Sequence, residues 1–254
     1  MRKRIRVVTP IITRGVYNAA DAEAVAGPDT EISSVLLDAG PASIESEYDE
    51  MLAVPDTVAK IIQAENDGVD AVIINCMGDP GMKPAREAVS IPVLGPAETT
   101  MHVASLLGHK FSVVTVLDSV IPMLENEAKV YGVFDKLASI RVVNIPVLEL
   151  TNDIDRLIRA LVDESVKAVE EDGAHVIIFG CTGMLGFAEA VKKGLEERGH
   201  AGIPVLDPIP VCIKVAEALV DLGLRHSKRT YQPPRAKEIV GYSLPVARSA
   251  GTAP

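Results

Sequence analysis

The chain has no tryptophan, and all aromatic residues together make up only 4% of its 254 positions. Basic charge is also short: 25 Lys and Arg stand against 35 Asp and Glu, a net charge of −10. Phosphate binding needs clustered Lys and Arg that release counterions, and no basic stripe is visible, so nucleic acid is not an expected partner. Only three cysteines occur, an odd number with no C-x-x-C spacing and no His-rich setting; neither a disulfide framework nor a zinc site is expected. No G-x-G-x-x-G or G-x-x-x-x-G-K-[ST] pattern is present, which argues against nucleotide binding. The longest apolar runs, such as Ala71 to Ile74 and Val176 to Phe179, fall far short of the roughly 18 residues that cross a membrane. Met1-Arg2-Lys3-Arg4 leads straight into an apolar segment with no secretory h-region. Cytoplasmic residence, reduced thiols and no membrane partner are the resulting expectations.

What is present is a rhythm. Short β-branched runs, Ile5 to Thr9, Ile32 to Leu37, Ala71 to Ile74, Phe111 to Val116, Ile140 to Val143 and Val176 to Phe179, alternate with amphipathic helical patterns such as Ile154 to Glu171. Such alternation predicts an α/β fold with parallel sheets flanked by helices. Within it lies an internal repeat. The segment from Asp67 to Gly78, DGVDAVIINCMG, aligns without a gap on Asp172 to Gly183, DGAHVIIFGCTG, so that Cys76 matches Cys181. Ile91-Pro92-Val93-Leu94-Gly95-Pro96 is echoed by Ile203-Pro204-Val205-Leu206-Asp207-Pro208, and Val7-Val8-Thr9 by Val113-Val114-Thr115. Two pseudo-symmetric lobes with an active site in the cleft between them are therefore expected. Lobe 1 takes residues 1–95 plus 208–242 and lobe 2 residues 96–207, with 243–254 a C-terminal tail.

In open parallel sheets, ligands bind beyond the carboxyl ends of the strands. Both Cys76 and Cys181 sit at such an end, each followed by a glycine-containing turn. Two thiols on opposite faces of a ligand suit proton removal from a stereogenic carbon on one face and proton return on the other. That chemistry calls for no cofactor and no metal. Charge developing on an adjacent carbonyl oxygen needs donors, and Thr9, Ser43, Thr115 and Thr182 are candidates, with Thr182 best placed. Cys212 lies in an apolar helical pattern opposite Thr100 of the other copy and reads as core. Asp79, before Pro80, reads as turn chemistry first. His102, His109 and His175 show no metal-ligand spacing.

Four segments, Gly40-Pro41-Ala42-Ser43-Ile44-Glu45-Ser46, Cys76-Met77-Gly78-Asp79-Pro80-Gly81, Gly95-Pro96-Ala97-Glu98 and Gly180-Cys181-Thr182-Gly183-Met184, together resemble the aspartate/glutamate/hydantoin racemase superfamily, in particular its hydantoin and allantoin racemase branch. The resemblance runs from Ile5 to about Tyr242. It implies racemisation of 5-substituted hydantoins, allantoin among them, with Cys76 and Cys181 as the acid/base pair. Thr9, Pro10, Ser43, Ile44, Gly78, Thr115, Thr182 and Gly183 would contact the ring. One departure is Thr9-Pro10-Ile11-Ile12-Thr13, where that branch commonly has an Asn-Pro-Asn type segment. The partner expected is a cyclic ureide or amino-acid-derived small molecule, with assembly as a homo-oligomer. The alternatives are an aspartate/glutamate-type racemase, a maleate-type cis-trans isomerase with a nucleophilic cysteine, and a non-catalytic ligand-binding or redox-sensing protein. Beyond Gly223 the basic, proline-containing segment around Pro233-Pro234 reads as a strap or partner contact.

Overall fold

A computed structural model describes residues 2–15, 19–242 and 244–245. Strands β1 (Lys3–Thr9), β2 (Thr30–Leu36), β3 (Ala71–Ile74) and β4 (Val93–Leu94) form one parallel sheet in the order β2-β1-β3-β4. Strands β5 (Phe111–Thr115), β6 (Leu137–Val142), β7 (Val176–Phe179) and β8 (Val205–Leu206) form a second parallel sheet in the order β6-β5-β7-β8. The same winding occurs twice, as the repeat predicts. In both sheets the chain reverses its direction of travel between the first and third strands, which opens a crevice at their carboxyl ends.

Burial explains the composition of the strands. Every residue of β3 and β7 is fully buried, because central strands of a parallel sheet are covered on both faces and so read as unbroken apolar runs. Edge strand β6 is half-buried throughout and mixes Ser139 and Arg141 with its apolar residues. The short β4 and β8 lie outside the six strands expected. Each follows a proline that cannot donate, yet the Pro92 and Pro204 carbonyls accept from Val72 N and Ile177 N, both at 2.9 Å.

The helices are α1 (Ala19–Val25), α2 (Glu47–Asn66), α3 (Met82–Ala88), α4 (Pro96–Leu107), α5 (Ile121–Val130), α6 (Ile154–Glu170), α7 (Ala188–Glu197) and α8 (Pro208–Asp221). Ser46 caps α2 by accepting from Asp49 N at 3.2 Å, and Asp153 caps α6 by accepting from Arg156 N at 2.8 Å. On α6, Leu157, Leu161, Val162 and Val166 form the buried stripe that its period predicts.

α4 and α8 open with proline, as suits a first helical turn, and lie against each other. Although α4 follows the first sheet, its Ala97, Met101 and Ala104 are buried with Phe111 and Val113 of the second. Conversely, α8 follows the second sheet and buries Ile209, Cys212, Ile213 and Ala216 against Ile5, Val7, Ala71 and Ile73 of the first. Cys212 is thus core, as its pattern implies. Past α8 the chain returns over the first sheet, where Lys228 Nζ donates to the carbonyls of Arg86 (2.7 Å) and Val89 (2.5 Å) at the end of α3. Tyr231 Oη accepts from Arg86 at 3.1 Å, while Arg86 is paired with Glu98. Lys228 and Tyr231 thus strap this segment to the first lobe, whereas the residues around Pro233-Pro234 are exposed. Of the expected tail, only residues 244–245 are described. Among the described residues, no helix is long and apolar enough to cross a membrane.

Candidate active site

β3 and β7 deliver their turns to the same place. Asn75 N donates to Val8 O at 2.8 Å and Gly180 N to Val114 O at 2.7 Å, so both strands keep their sheet pairing up to the residue before the cysteine. Thr182 Oγ1 then crosses between the lobes to donate to Asn75 O at 3.1 Å. The residue after one cysteine is tied to the residue before the other, and both cysteines line one cavity of about 50 Å3.

Eight expected site residues, Thr9, Pro10, Ile44, Cys76, Gly78, Cys181, Thr182 and Gly183, are in that wall. Ser43 and Thr115 are not among its lining residues. Thr115 is fully buried and its hydroxyl donates to Gly180 O at 3.1 Å; it supports the Cys181 turn from behind. A Cβ on Gly180 would lie 2.5 Å from Thr115 Cβ, so only glycine fits there. The Thr182 hydroxyl, the favoured oxyanion donor, is engaged in the tie to Asn75.

The wall also holds Ile11, Asn75, Met77, Val116, Val120, Met123, Val147 and Gly180. Asn75 and Gly180 were signalled by the repeat, since each directly precedes its cysteine. Ile11 and Val116 lie just past the threonines that end β1 and β5. Val120, Met123 and Val147 come from unrepeated connections and carry no sequence signal.

The two thiols have matching turn donors. Gly78 N donates to Cys76 Sγ at 3.5 Å, and the Gly183 N–H bonds Cys181 in the same way. Burial outweighs these donors. The cysteines are partly accessible through the cavity, but their sulfurs lie deep, and desolvation pushes Cys181 up to about 11, against the pull of Gly183 and with a further push from Glu45. Cys76 is raised well above the usual thiol range by burial first, with Glu50, Cys181 and Glu127 adding to it against Gly78. A carboxyl shell surrounds this second turn. A Cβ on Gly78 would meet Glu50 Oε2 at 2.8 Å, and Glu50 is itself raised to about 7 by burial and by Asp79 and Glu47. Asp79 accepts from Ala97 N (3.0 Å), Glu98 N (2.9 Å) and Tyr131 Oη (2.8 Å), which makes it the remote cap of α4. Its backbone, with a positive φ of 47°, makes the turn before Pro80, while its side chain works on α4 and not on that turn. His102 and His175 are exposed at the surface. Among the described residues, no group of three or more His, Cys, Asp and Glu side chains is arranged to hold a metal ion.

Comparison with known proteins agrees with this geometry. The model of the Asp/Glu/Hydantoin racemase family matches residues 5–216. A hydantoin racemase of Pseudomonas sp. (strain NS671) is 42% identical over 243 residues, 94% of each chain. Among solved structures, the allantoin racemase from Klebsiella pneumoniae superposes with a TM-score of 0.88 at 33% identity, covering 94% of this chain and 96% of that one. That of Pseudomonas fluorescens gives 0.86 at 36% identity, covering 94% and 100%. With its doubled parallel sheet, its paired strand-end cysteines and these likenesses, the chain belongs to the Asp/Glu/Hydantoin racemase family and is an isomerase of racemase type.

Proposed function

We propose that the enzyme racemises 5-substituted hydantoins, allantoin included, by proton transfer between Cys76 and Cys181. The observation that carries this reading is the convergence of two duplicated thiol turns on one cavity, tied across the lobes by Thr182 and Asn75. One cysteine, as thiolate, takes the proton from C5. The electron pair moves onto the adjacent carbonyl oxygen, where main-chain N–H groups of the two turns stabilise the enolate. The other cysteine, as thiol, returns a proton to the opposite face, leaving the pair with its protons exchanged.

The surroundings favour an uncharged ring over an amino acid or dicarboxylate. Thr, Pro, Ile, Asn, Cys, Met, Gly and Val residues make up the wall, and the ionisable neighbours that act on the thiols, Glu45, Glu50 and Glu127, are all carboxyls. Among the described residues, no cation lines the cavity to hold a carboxylate; a cyclic ureide needs only hydrogen bonds.

The test uses a single enantiomer of a 5-substituted hydantoin in deuterated water. Optical rotation should fall to zero with deuterium entering at C5. Cys76→Ser and Cys181→Ser should each lower interconversion by about 10³-fold or more, the scale of removing an essential acid or base. Racemisation retained in both variants would remove the mechanism. A stable adduct between either sulfur and maleate in intact-protein mass spectra would favour nucleophilic isomerisation instead.

A further inference from the structure

The two halves of the cavity differ at one pair of equivalent positions. Before Cys181 stands Gly180, whose carbonyl accepts from the Thr115 hydroxyl at 3.1 Å. Before Cys76 stands Asn75, which has a side chain and is one of the residues lining the cavity. Asn75 is only 5% exposed. Its Nδ2 donates to Thr9 Oγ1 at 3.1 Å, which fixes the plane of the amide, while its Oδ1 is buried with no hydrogen-bond partner in the protein. A buried amide oxygen left bare is costly unless something completes it. Its place beside the cavity and next to Cys76 identifies what that something must offer: a donor, carried by the molecule between the two sulfurs.

We propose that Asn75 Oδ1 accepts a hydrogen bond from the ring N–H adjacent to the stereogenic carbon, and so selects cyclic amides and ureides bearing that N–H and sets the ring in register with Cys76. This rests on the hydantoin reading above and adds the residue that recognises the ring. In a hydantoin the nitrogen bonded to C5 is N1, one bond from the atom whose proton moves. A group beside Cys76 is placed to read that nitrogen, whereas N3 lies across the ring. A nitrogen-free dicarboxylate such as maleate offers only acceptors on that side and would face the bare oxygen with like polarity. The lobe 2 side has no equivalent group, since a Cβ at Gly180 has no room against Thr115. The ring is therefore read from one lobe, while its proton is handled from both.

Steady-state kinetics on the wild type and on Asn75→Ala, with a 5-substituted hydantoin and its N1-methyl and N3-methyl analogues, test this. One neutral hydrogen bond to a buried acceptor corresponds to a loss of about 5- to 30-fold. N1 methylation should raise KM in the wild type by at least that factor, with N3 methylation having a much smaller effect. Asn75→Ala should raise KM for the parent by a similar factor, leave kcat within about threefold, and show no further penalty for N1 methylation, so that the two changes are not additive. Equal turnover of parent and N1-methyl substrates by the wild type would overturn the proposal without any variant being made, and so would full additivity of the two changes. Should Asn75→Ala be too unstable to assay, Thr9→Val, which frees the amide from its fixed plane, should show the same KM effect in weaker form. Failure of the wild type to racemise any hydantoin would sink the functional reading itself, an outcome distinct from a racemase indifferent to N1.

Discussion

Cys76 is acted on by Glu50 and Glu127, while Cys181 has Glu45 as its charged neighbour. Both thiols are held as thiols by burial, and with Cys181 near 11 only about one molecule in 10⁴ carries its thiolate at pH 7. In the proposed mechanism a strongly basic thiolate is matched to a weakly acidic carbon, and activity would follow its population. We predict that kcat/KM rises close to tenfold per pH unit from pH 7 to about 10 and bends where the cysteine pair, as a pair, loses its first proton. A plateau reached below pH 8 would show that the free enzyme stabilises a thiolate by means other than the glycine N–H groups. Glu50 supplies a second residue-scale prediction. Its carboxyl is raised from 4.5 to about 7, so the native state prefers it protonated. Stability from this group is complete below pH 4.5 and is lost as pH rises through 7. The full shift corresponds to roughly 3 kcal/mol, cut by partial solvent exposure to about 1–2 kcal/mol. Glu50→Gln should then leave stability unchanged at pH 4 and raise it by that amount at pH 8 in urea titrations; a variant destabilised at both pH values would refute the assignment.

At the scale of elements, the packing of α4 depends on a contact far away in sequence. Asp79 caps its first turn, and Gly95 makes room for that carboxylate, since a Cβ there would lie 2.3 Å from Asp79 Cγ. The backbone at Gly95 has φ −100°, so alanine is conformationally acceptable and only the displaced cap is at stake. Gly95→Ala should lower stability by about 1–2 kcal/mol, the worth of a cap, and Tm by roughly 3–6 °C for a chain of this size; an unchanged Tm would mean that the carboxylate moves aside freely. This contact also marks where legibility in the sequence ends. β3 and β7 were readable to the residue because full burial leaves an unbroken apolar signature. β2 and β6 were readable only approximately, since edge positions tolerate Ser33, Ser34 and Arg141. The cysteine turns were visible through the duplication, and Asn75 stood in plain view beside Cys76, yet its bare Oδ1 is a property of three-dimensional surroundings. Glu50, Glu127 and Met123 approach from α2 and α5, which lie outside the duplicated sequence segments, so no spacing announces them.

Over the whole molecule, the exchanged packing of α4 and α8 matters most. Each sheet is covered on one face by a helix that follows the other sheet in sequence. We propose the division into 1–95 with 208–242 and 96–207 on that basis, and expect the two lobes to unfold together. Removing α8 strips Ile5, Val7 and Ile73 of their cover, so neither half is a self-sufficient unit. Scanning calorimetry should give one transition with equal calorimetric and van't Hoff enthalpies; two separable transitions would refute this coupling.

The bond from Thr182 Oγ1 to Asn75 O has a mechanical side as well. It spans the gap beside the two sulfurs, so any widening of that gap must stretch it. The cleft consequently has a gauge, and under the proposed racemisation a fixed gauge would favour the flat, sp2 form of the reacting carbon over the tetrahedral form on either hand. Such a cleft grips the midpoint of the reaction more tightly than its two ends, and planar ring analogues should bind it more tightly than either enantiomer.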